Sequence, residues 1–153
     1  MCAEVCRIPG KGAFDLIGTY EYAIDVKGRL TMPPKFRAEL GETFTVTQGL
    51  DGCIFVYPQS VWKELEAKIC ALPMAKSKGL QRFFLSAAQE LTLDSHGRIL
   101  LPQELRRYAE LEREAVVIGV SGRAEIWAKE KWLAYKAQLE EAEICAAMEE
   151  LGF

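Results

Sequence analysis

The sequence predicts a mixed β/α, β-rich fold in which two internal repeats interleave into one small β-barrel with peripheral helices. Three observations predict it. Asp25-Val26-Lys27-Gly28-Arg29, followed by Pro33 and Phe36-Arg37, returns sixty-nine residues later as Asp94-Ser95-His96-Gly97-Arg98, followed by Pro102 and Leu105-Arg106. A second block, Gly52-Cys53-Ile54-Phe55-Val56-Tyr57, is answered by Gly122-Arg123-Ala124-Glu125-Ile126-Trp127, and Trp62 by Trp132, at an offset of seventy; one added residue reconciles the two offsets. Finally, each unit is rich in strand signals, and such a unit alone would leave sheet edges and an apolar face open, which a second copy packed on it covers.

The elements follow in chain order. Tyr20, Tyr22 and Ile24 alternate with Glu21 and Ala23 as in a half-buried strand, the chain turns at Val26-Lys27-Gly28, and Leu30 and Met32 alternate on the return. This predicts a β-hairpin. Asp25 suits the start of its turn because a short carboxylate accepts backbone N–H bonds, and Gly28 supplies a positive φ at no steric cost. Pro33-Pro34 cannot continue a ladder but fits a helix start, so Lys35 to Leu40 reads as a short helix ended by Gly41. Phe44 to Thr47 and Ile54 to Tyr57 read as strands joined by the Gly49-Leu50-Asp51-Gly52 turn. Ser60 reads as the cap of a helix carrying Val61, Leu65 and Ile69 inward, with Pro73 after it.

The second unit repeats this order. Leu91 and Leu93 precede the turn at Ser95-His96-Gly97, Ile99 and Leu101 follow it, and Pro102 opens a helix through Leu105 and Tyr108. Strands are expected from Ala115 to Val120 and from Ala124 to Trp127. Between the units, Leu80, Phe83, Phe84 and Ala87 lie at helical spacing within Lys76 to Ala88. After Lys129 one long helix is expected, with an apolar stripe through Trp132, Leu139, Ala142, Cys145 and Met148 that forms a docking face. Tyr22, Phe55, Tyr57, Trp62, Trp127 and Trp132 are expected to face the core or a neighbouring subunit rather than to stack on bases.

Composition bounds the function classes. With 153 residues, 50% hydrophobic and 27% charged, the chain can bury one good core. No apolar run approaches the roughly 18 residues of a membrane helix, and no charged-then-apolar leader is present, so a cytoplasmic protein without membrane contact is expected. The five cysteines are scattered without a Cys-x-x-Cys pair and there is one histidine, His96. No disulfide framework, metal site or cofactor is expected, no catalytic residue is assigned, and no small-molecule substrate is called for.

With Asp-x-x-x-Arg present as Asp25 to Arg29 and again as Asp94 to Arg98, each with its inner glycine and downstream proline, the chain resembles the MraZ family of bacterial transcription regulators. The flanking Gly49-Leu50-Asp51-Gly52-Cys53-Ile54-Phe55-Val56-Tyr57-Pro58 and Val117-Ile118-Gly119-Val120-Ser121 carry the same resemblance. It covers about Gly18 to Trp132. It implies two tandem SpoVT-AbrB units in a double-split, swapped-hairpin β-barrel. The expected divisions are a leader at 1–17, a first repeat at 19–61, linking helices at 62–87, a second repeat at 88–131 and a C-terminal helix at 132–153. It further implies sequence-specific binding of double-stranded DNA at short repeats in the promoter region of the division and cell-wall gene cluster, the family's own gene included. Assembly into a homo-oligomeric ring and a nucleoid-associated location are implied with it.

The charge pattern bears on that expectation. The net charge of −3 is not that of a basic nucleic-acid binder, but the distribution is uneven. Residues 25–37 carry Lys27, Arg29, Lys35 and Arg37 against Asp25; residues 94–107 carry Arg98, Arg106 and Arg107 against Asp94 and Glu104; residues 130–153 carry two lysines against six glutamates. Basic hairpins on one face can attract phosphate despite a negative total. The candidate DNA-binding residues are therefore Lys27, Arg29, Lys35, Arg37, His96, Arg98 and Arg106, with Asp25, Gly28, Asp94 and Gly97 shaping the turns. His96 stands where the first copy has Lys27, so the second loop is the less basic. Two other classes are open to such a chain: an antitoxin-like module that binds a partner protein through its C-terminal helix, against which two units in one chain count, and an enzyme built on His96, which lacks an orienting partner.

Overall fold

A computed structural model describes residues 15–153. Most of the expected 1–17 leader lies outside the described residues, whereas Leu16 and Ile17 belong to the first strand. The order is β1 (Leu16–Ala23), β2 (Arg29–Thr31), α1 (Pro34–Leu40), β3 (Thr43–Gln48), a 3-10 turn (Leu50–Gly52), β4 (Ile54–Pro58), α2 (Gln59–Ala71), α3 (Met74–Leu80) and a π turn (Gln81–Leu85). There follow β5 (Gln89–Thr92), β6 (Arg98–Leu100), α4 (Gln103–Tyr108), β7 (Glu114–Ser121), β8 (Ala124–Ala128), α5 (Lys129–Gln138) and α6 (Glu141–Glu150).

The strands form a six-stranded antiparallel sheet in the order β1-β7-β8-β4-β3-β5 and a separate two-stranded ribbon of β2 and β6. Exchanging the two repeats turns the sheet order into itself read backwards. The registers agree: Ile54 faces Ile126 and Val56 faces Ala124 at the centre of the sheet, and Arg29 faces Leu100 and Thr31 faces Arg98 in the ribbon. A pseudo-two-fold axis thus passes between β4 and β8 and between β2 and β6. Between those points the correspondence slips: Ile24 donates to Arg113 O and Leu93 to Glu42 O, a longer step than the single added residue expected.

The expected hairpin is corrected by this pairing. The two arms meet at Asp25, whose N–H donates to Arg29 O at 3.1 Å, but β1 then runs along β7 and β2 along β6, both in the other repeat. β1 pairs with β7 along its whole length, Leu16 to Ala23, and Gly119 allows β1 to approach so closely that a Cβ there would lie 2.5 Å from Ile17 N. The outer strands β1 and β5 do not pair with each other, so the sheet is open in its hydrogen bonding and no closed barrel is formed among the described strands.

Three layers result. The inner sheet face supplies Phe44, Val46, Ile54, Val56, Ala115, Val117, Ala124 and Ile126, which pack against Leu30, Met32, Phe36, Ile99, Leu101 and Leu105 from the ribbon and from α1 and α4. Each fully buried side chain of this size contributes about 1.5–3 kcal/mol. The outer face supplies Phe55, Tyr57, Val116, Ile118 and Trp127, packed with Trp62 and Leu65 of α2 and with Trp132 and Tyr135 of α5. Burial on both faces is why β4 and β7 read as near-continuous apolar runs rather than alternating ones.

The first four helices start on prolines. Pro33, Pro58, Pro73 and Pro102 occupy the N-cap positions of α1 to α4, without a side-chain cap bond. Ser60 is therefore not the cap of α2: Pro58, already held at φ −55°, ends β4 and launches the helix two residues earlier. The helix expected over Lys76 to Ala88 is α3 followed by the π turn, where Phe84 O accepts a 2.6 Å bond from the buried Thr47 hydroxyl. The single long C-terminal helix is two helices, since Leu139 and Glu140 are extended. No glycine or proline marks that break. No helix among the described residues is long and apolar enough to cross a membrane.

Candidate nucleic-acid interface

The β2–β6 ribbon positions the candidate site. Leu30 and Ile99 are directly opposite each other and fully buried, so strand alternation sends their neighbours Arg29, Thr31, Arg98 and Leu100 to the other side, away from the core. Arg98 faces Thr31 and so lies two residues from Arg29 along the ribbon, about 7 Å at ~3.4 Å per residue. Two arginines and two loops are gathered on one outward strip.

Each loop is built by its aspartate. Asp25 Oδ1 accepts from Lys27 N at 2.9 Å and Arg29 N at 2.8 Å, while Oδ2 accepts from Arg29 Nε at 2.5 Å. Asp94 does the same: His96 N at 2.8 Å, Arg98 N at 2.9 Å and Arg98 Nε at 2.9 Å. Gly28 and Gly97 donate to the carbonyls of Asp25 and Asp94 with φ of 86° and 74°, a conformation that favours glycine. The backbone N–H of Arg29, then its side chain and the Lys27 N–H, pull the Asp25 carboxyl down to about 2. Asp94 is lowered for the same reasons, the Arg98 N–H first.

This bonding fixes the arginines. Each uses Nε for its aspartate, which leaves the two terminal nitrogens of Arg29 and Arg98 without a hydrogen-bond partner among the described residues. Their side chains are about one-third exposed. A guanidinium held at its inner nitrogen presents its outer edge in a fixed direction, the geometry needed for two parallel bonds to an acceptor pair such as guanine O6 and N7 or a phosphate.

The other predicted residues occupy different positions. Lys27 and His96 are exposed at equivalent places in the two loops, with Ser95 Oγ 3.3 Å from His96 Nδ1. Lys35 is exposed on α1. Arg37 and Arg106 are half-buried, and each reaches the loop of the opposite repeat: Arg106 lies over Gly28, where an added Cβ would be 2.6 Å from its Cζ, and Arg37 lies over Gly97. Arg106 Nε also donates to Leu101 O at 3.2 Å, whereas Arg37 Nε is buried without a partner among the described residues. These two arginines buttress the loops from behind. Thr31, Leu100, Val26 and Ser95 were not singled out from the sequence; period-two alternation about Leu30 and Ile99 was the signal that could have found the first two.

Elsewhere the charge is not arranged for anions. A cavity of about 580 Å³ near the start of α5 is lined by Glu110, Glu112, Glu114 and Glu130 with Arg113 and Lys129. Cys53 is fully buried, and burial pushes its thiol up and out of reactive range.

The comparisons with known proteins agree with one another. A family model described as "MraZ protein, putative antitoxin-like" matches residues 16–82 and again 84–151. The chain is similar to the Transcriptional regulator MraZ of Desulforamulus reducens, 52% identical over 126 residues, which is 81% of this chain and 89% of that protein. It is similar also to the proteins of that name from Clostridium acetobutylicum, 48% identical over 139 residues, and Halothermothrix orenii, 46% over 140; each match spans 89% of this chain and 98% of the relative.

Proposed function

The chain belongs to the MraZ family, and from that premise we propose that it is a DNA-binding transcription regulator whose β2–β6 ribbon lies in the major groove of double-stranded DNA. The relatives' name supports regulation of transcription. The observation that carries the groove reading is the outward strip of the ribbon, on which Arg29 and Arg98 stand two residues apart, each locked by its aspartate. A two-stranded ribbon fits the major groove, and arginines on its outer face reach guanine edges or phosphates.

In this reading Lys27, His96 and Lys35 meet the phosphates flanking the strip, and Arg37 and Arg106 hold the loops in shape. The target is the set of short repeats in the promoter region of the division and cell-wall gene cluster, this chain's own gene included, and the protein is nucleoid-associated in the cytoplasm. Two interleaved SpoVT-AbrB units, first at 19–61 and second at 88–131, are the frame. Several strips would grip the DNA together where copies close into a ring, with the exposed Ile144 and Met148 of α6 and Leu151 just after it at the contacts between copies.

A mobility-shift titration tests the function directly. The protein should retard its own upstream promoter fragment at concentrations that leave an unrelated fragment of equal length free. Equal retardation of both fragments would contradict sequence-specific regulation. Retardation of neither, with capture of a protein through α6 instead, would favour the antitoxin-like module.

A further inference from the structure

The junction of α2 and α3 presents an apolar tip to solvent. α2 ends at Ala71 and α3 begins at Met74, and across this junction Ala71-Leu72-Pro73-Met74-Ala75 are consecutive apolar residues, every one of them exposed. Leu72 is 40% and Met74 71% exposed. None of the five belongs to either core cluster, and α3 itself buries only Ser77. An exposed apolar run of this length adds nothing to a core and lowers solubility, so it calls for a use.

The charge around the tip is one-sided. Residues 67–89 hold Lys68, Lys76, Lys78 and Arg82 and no aspartate or glutamate, in a chain whose net charge is −3. All four basic residues are exposed, and none makes an ion pair among the described residues. Lysines elsewhere in the fold do find carboxylates: Lys129 lies 3.4 Å from Glu21, and Lys131 lies 3.1 Å from Glu110.

The combination selects an occupant. DNA phosphates would use the charges and leave the apolar tip in water. The acidic α6 of a second copy would use both, but consecutive exposed residues at a junction of helices project as a knob and offer a helix no groove. A bilayer with anionic headgroups takes both at once, because apolar side chains enter the acyl boundary while lysine stems reach the lipid phosphates. The position agrees with this. α2 and the π turn pack on the outer face of the sheet and the ribbon covers the inner face, so the knob and the outward strip lie on opposite sides of the sheet.

We propose that the α2–α3 corner seats the protein on an anionic membrane surface, with Leu72 and Met74 inserted and Lys68, Lys76, Lys78 and Arg82 on the headgroups. Such a contact is peripheral and needs no spanning helix, so it revises the expectation of no membrane contact that the lack of a long apolar run suggested. It does not depend on the ribbon's reading of DNA and leaves the strip free for it.

The test is flotation of the full chain with vesicles of equal parts phosphatidylcholine and phosphatidylglycerol, against vesicles of phosphatidylcholine alone. The chain should float with the anionic vesicles only, and added salt should release it. The pair Lys76→Gln, Lys78→Gln should weaken binding about five-fold for each charge removed. The pair Leu72→Ser, Met74→Ser should weaken it about ten-fold or more. Both variants should keep the parent's melting temperature and whatever retardation of DNA the parent shows, because neither alters the core or the strip. Anionic flotation that survives undiminished in both folded variants would overturn the proposal, since the basic strip would then be responsible. Flotation with both kinds of vesicle alike, or with neither, would overturn it as well. A fall in mass by light scattering in the corner variants, with no flotation by the parent, would assign the corner to contact between copies instead.

Discussion

Arg106 of the second repeat lies across Gly28 of the first, so close that a methyl group on Gly28 would come within 2.6 Å of the guanidinium carbon. The converse pair, Arg37 over Gly97, repeats the arrangement. Each loop is therefore clamped from in front by its own aspartate and from behind by the other repeat, which ties the two halves of the strip together.

Gly28→Ala meets two penalties at once: a positive φ for a residue with a Cβ, and the overlap with Arg106. The first is of the order of 1–3 kcal/mol. The midpoint of urea unfolding should fall accordingly. Adding Arg106→Ala should recover the overlap but not the backbone strain, so the double variant should remain less stable than Arg106→Ala alone.

Arg29→Ala should leave the far-ultraviolet circular dichroism unchanged and remove sequence-specific retardation, since the side chain stands outside the core and loses its contacts to DNA. One bidentate base contact is worth about 1–3 kcal/mol, and an assembly with many strips multiplies the loss. Arg98→Ala should act in the same direction and less strongly, because its loop carries His96 in place of Lys27. Undiminished binding by folded Arg29→Ala would exclude the strip as the interface.

How much of this was legible in the sequence divides by range. The paired Asp-x-x-x-Arg loops could be read because each is closed by bonds within five residues, and the repeat announced that there are two. The partners of the strands could not. Local turn chemistry at Asp25 to Arg29 predicts that the flanking arms pair with each other, and it carries no trace of β7 or β6, which win by long-range burial. The same blindness hid where Arg37 and Arg106 lie: both repeat correctly in the alignment of the halves and count among the candidate residues, but only the pseudo-two-fold fold brings each onto the opposite glycine. The break at Leu139-Glu140 has neither glycine nor proline, and nothing in the structure explains it.

Acid should loosen the loops. Asp25 titrates near 2 in the folded chain against an ordinary 3.8, so its contribution to stability is fully present above pH ~4 and is lost as the pH falls from there through about 2. Asp94, also lowered, adds to the same limb. Asp25→Asn keeps an oxygen for the two backbone N–H groups but forfeits the charge, so the variant should be less stable at neutral pH and show a flatter decline in acid. Thermal melts at a series of pH values check both halves of the expectation.

Salt separates phosphate contact from apolar docking. If Lys27, Lys35, Arg29 and Arg98 meet the backbone, log K should fall with log salt with a slope near −0.9 for each phosphate neutralised. Exchanging Lys35 for alanine should reduce the slope by about one without changing which fragment is preferred. A binding constant indifferent to salt would point to an apolar partner instead.

α6 buries none of its residues; Ile144 and Met148 on it, Leu151 and Phe153 after it and Leu139 at the end of α5 all stay exposed. An apolar run that covers no core side chain among the described residues adds little to the stability of that core, and its glutamates make it an unsuitable surface for DNA. Contact between copies would cover it and would set several outward strips side by side. Light scattering of the full chain should report a closed multiple of 17.2 kDa. Ending the chain at Gln138 should keep the melting temperature of the remaining fold, because no core side chain is removed, while lowering the mass and the affinity for fragments with several repeats far more than for a single one. A full chain that stayed monomeric at micromolar concentration yet bound multiple repeats tightly would refute this role for α6.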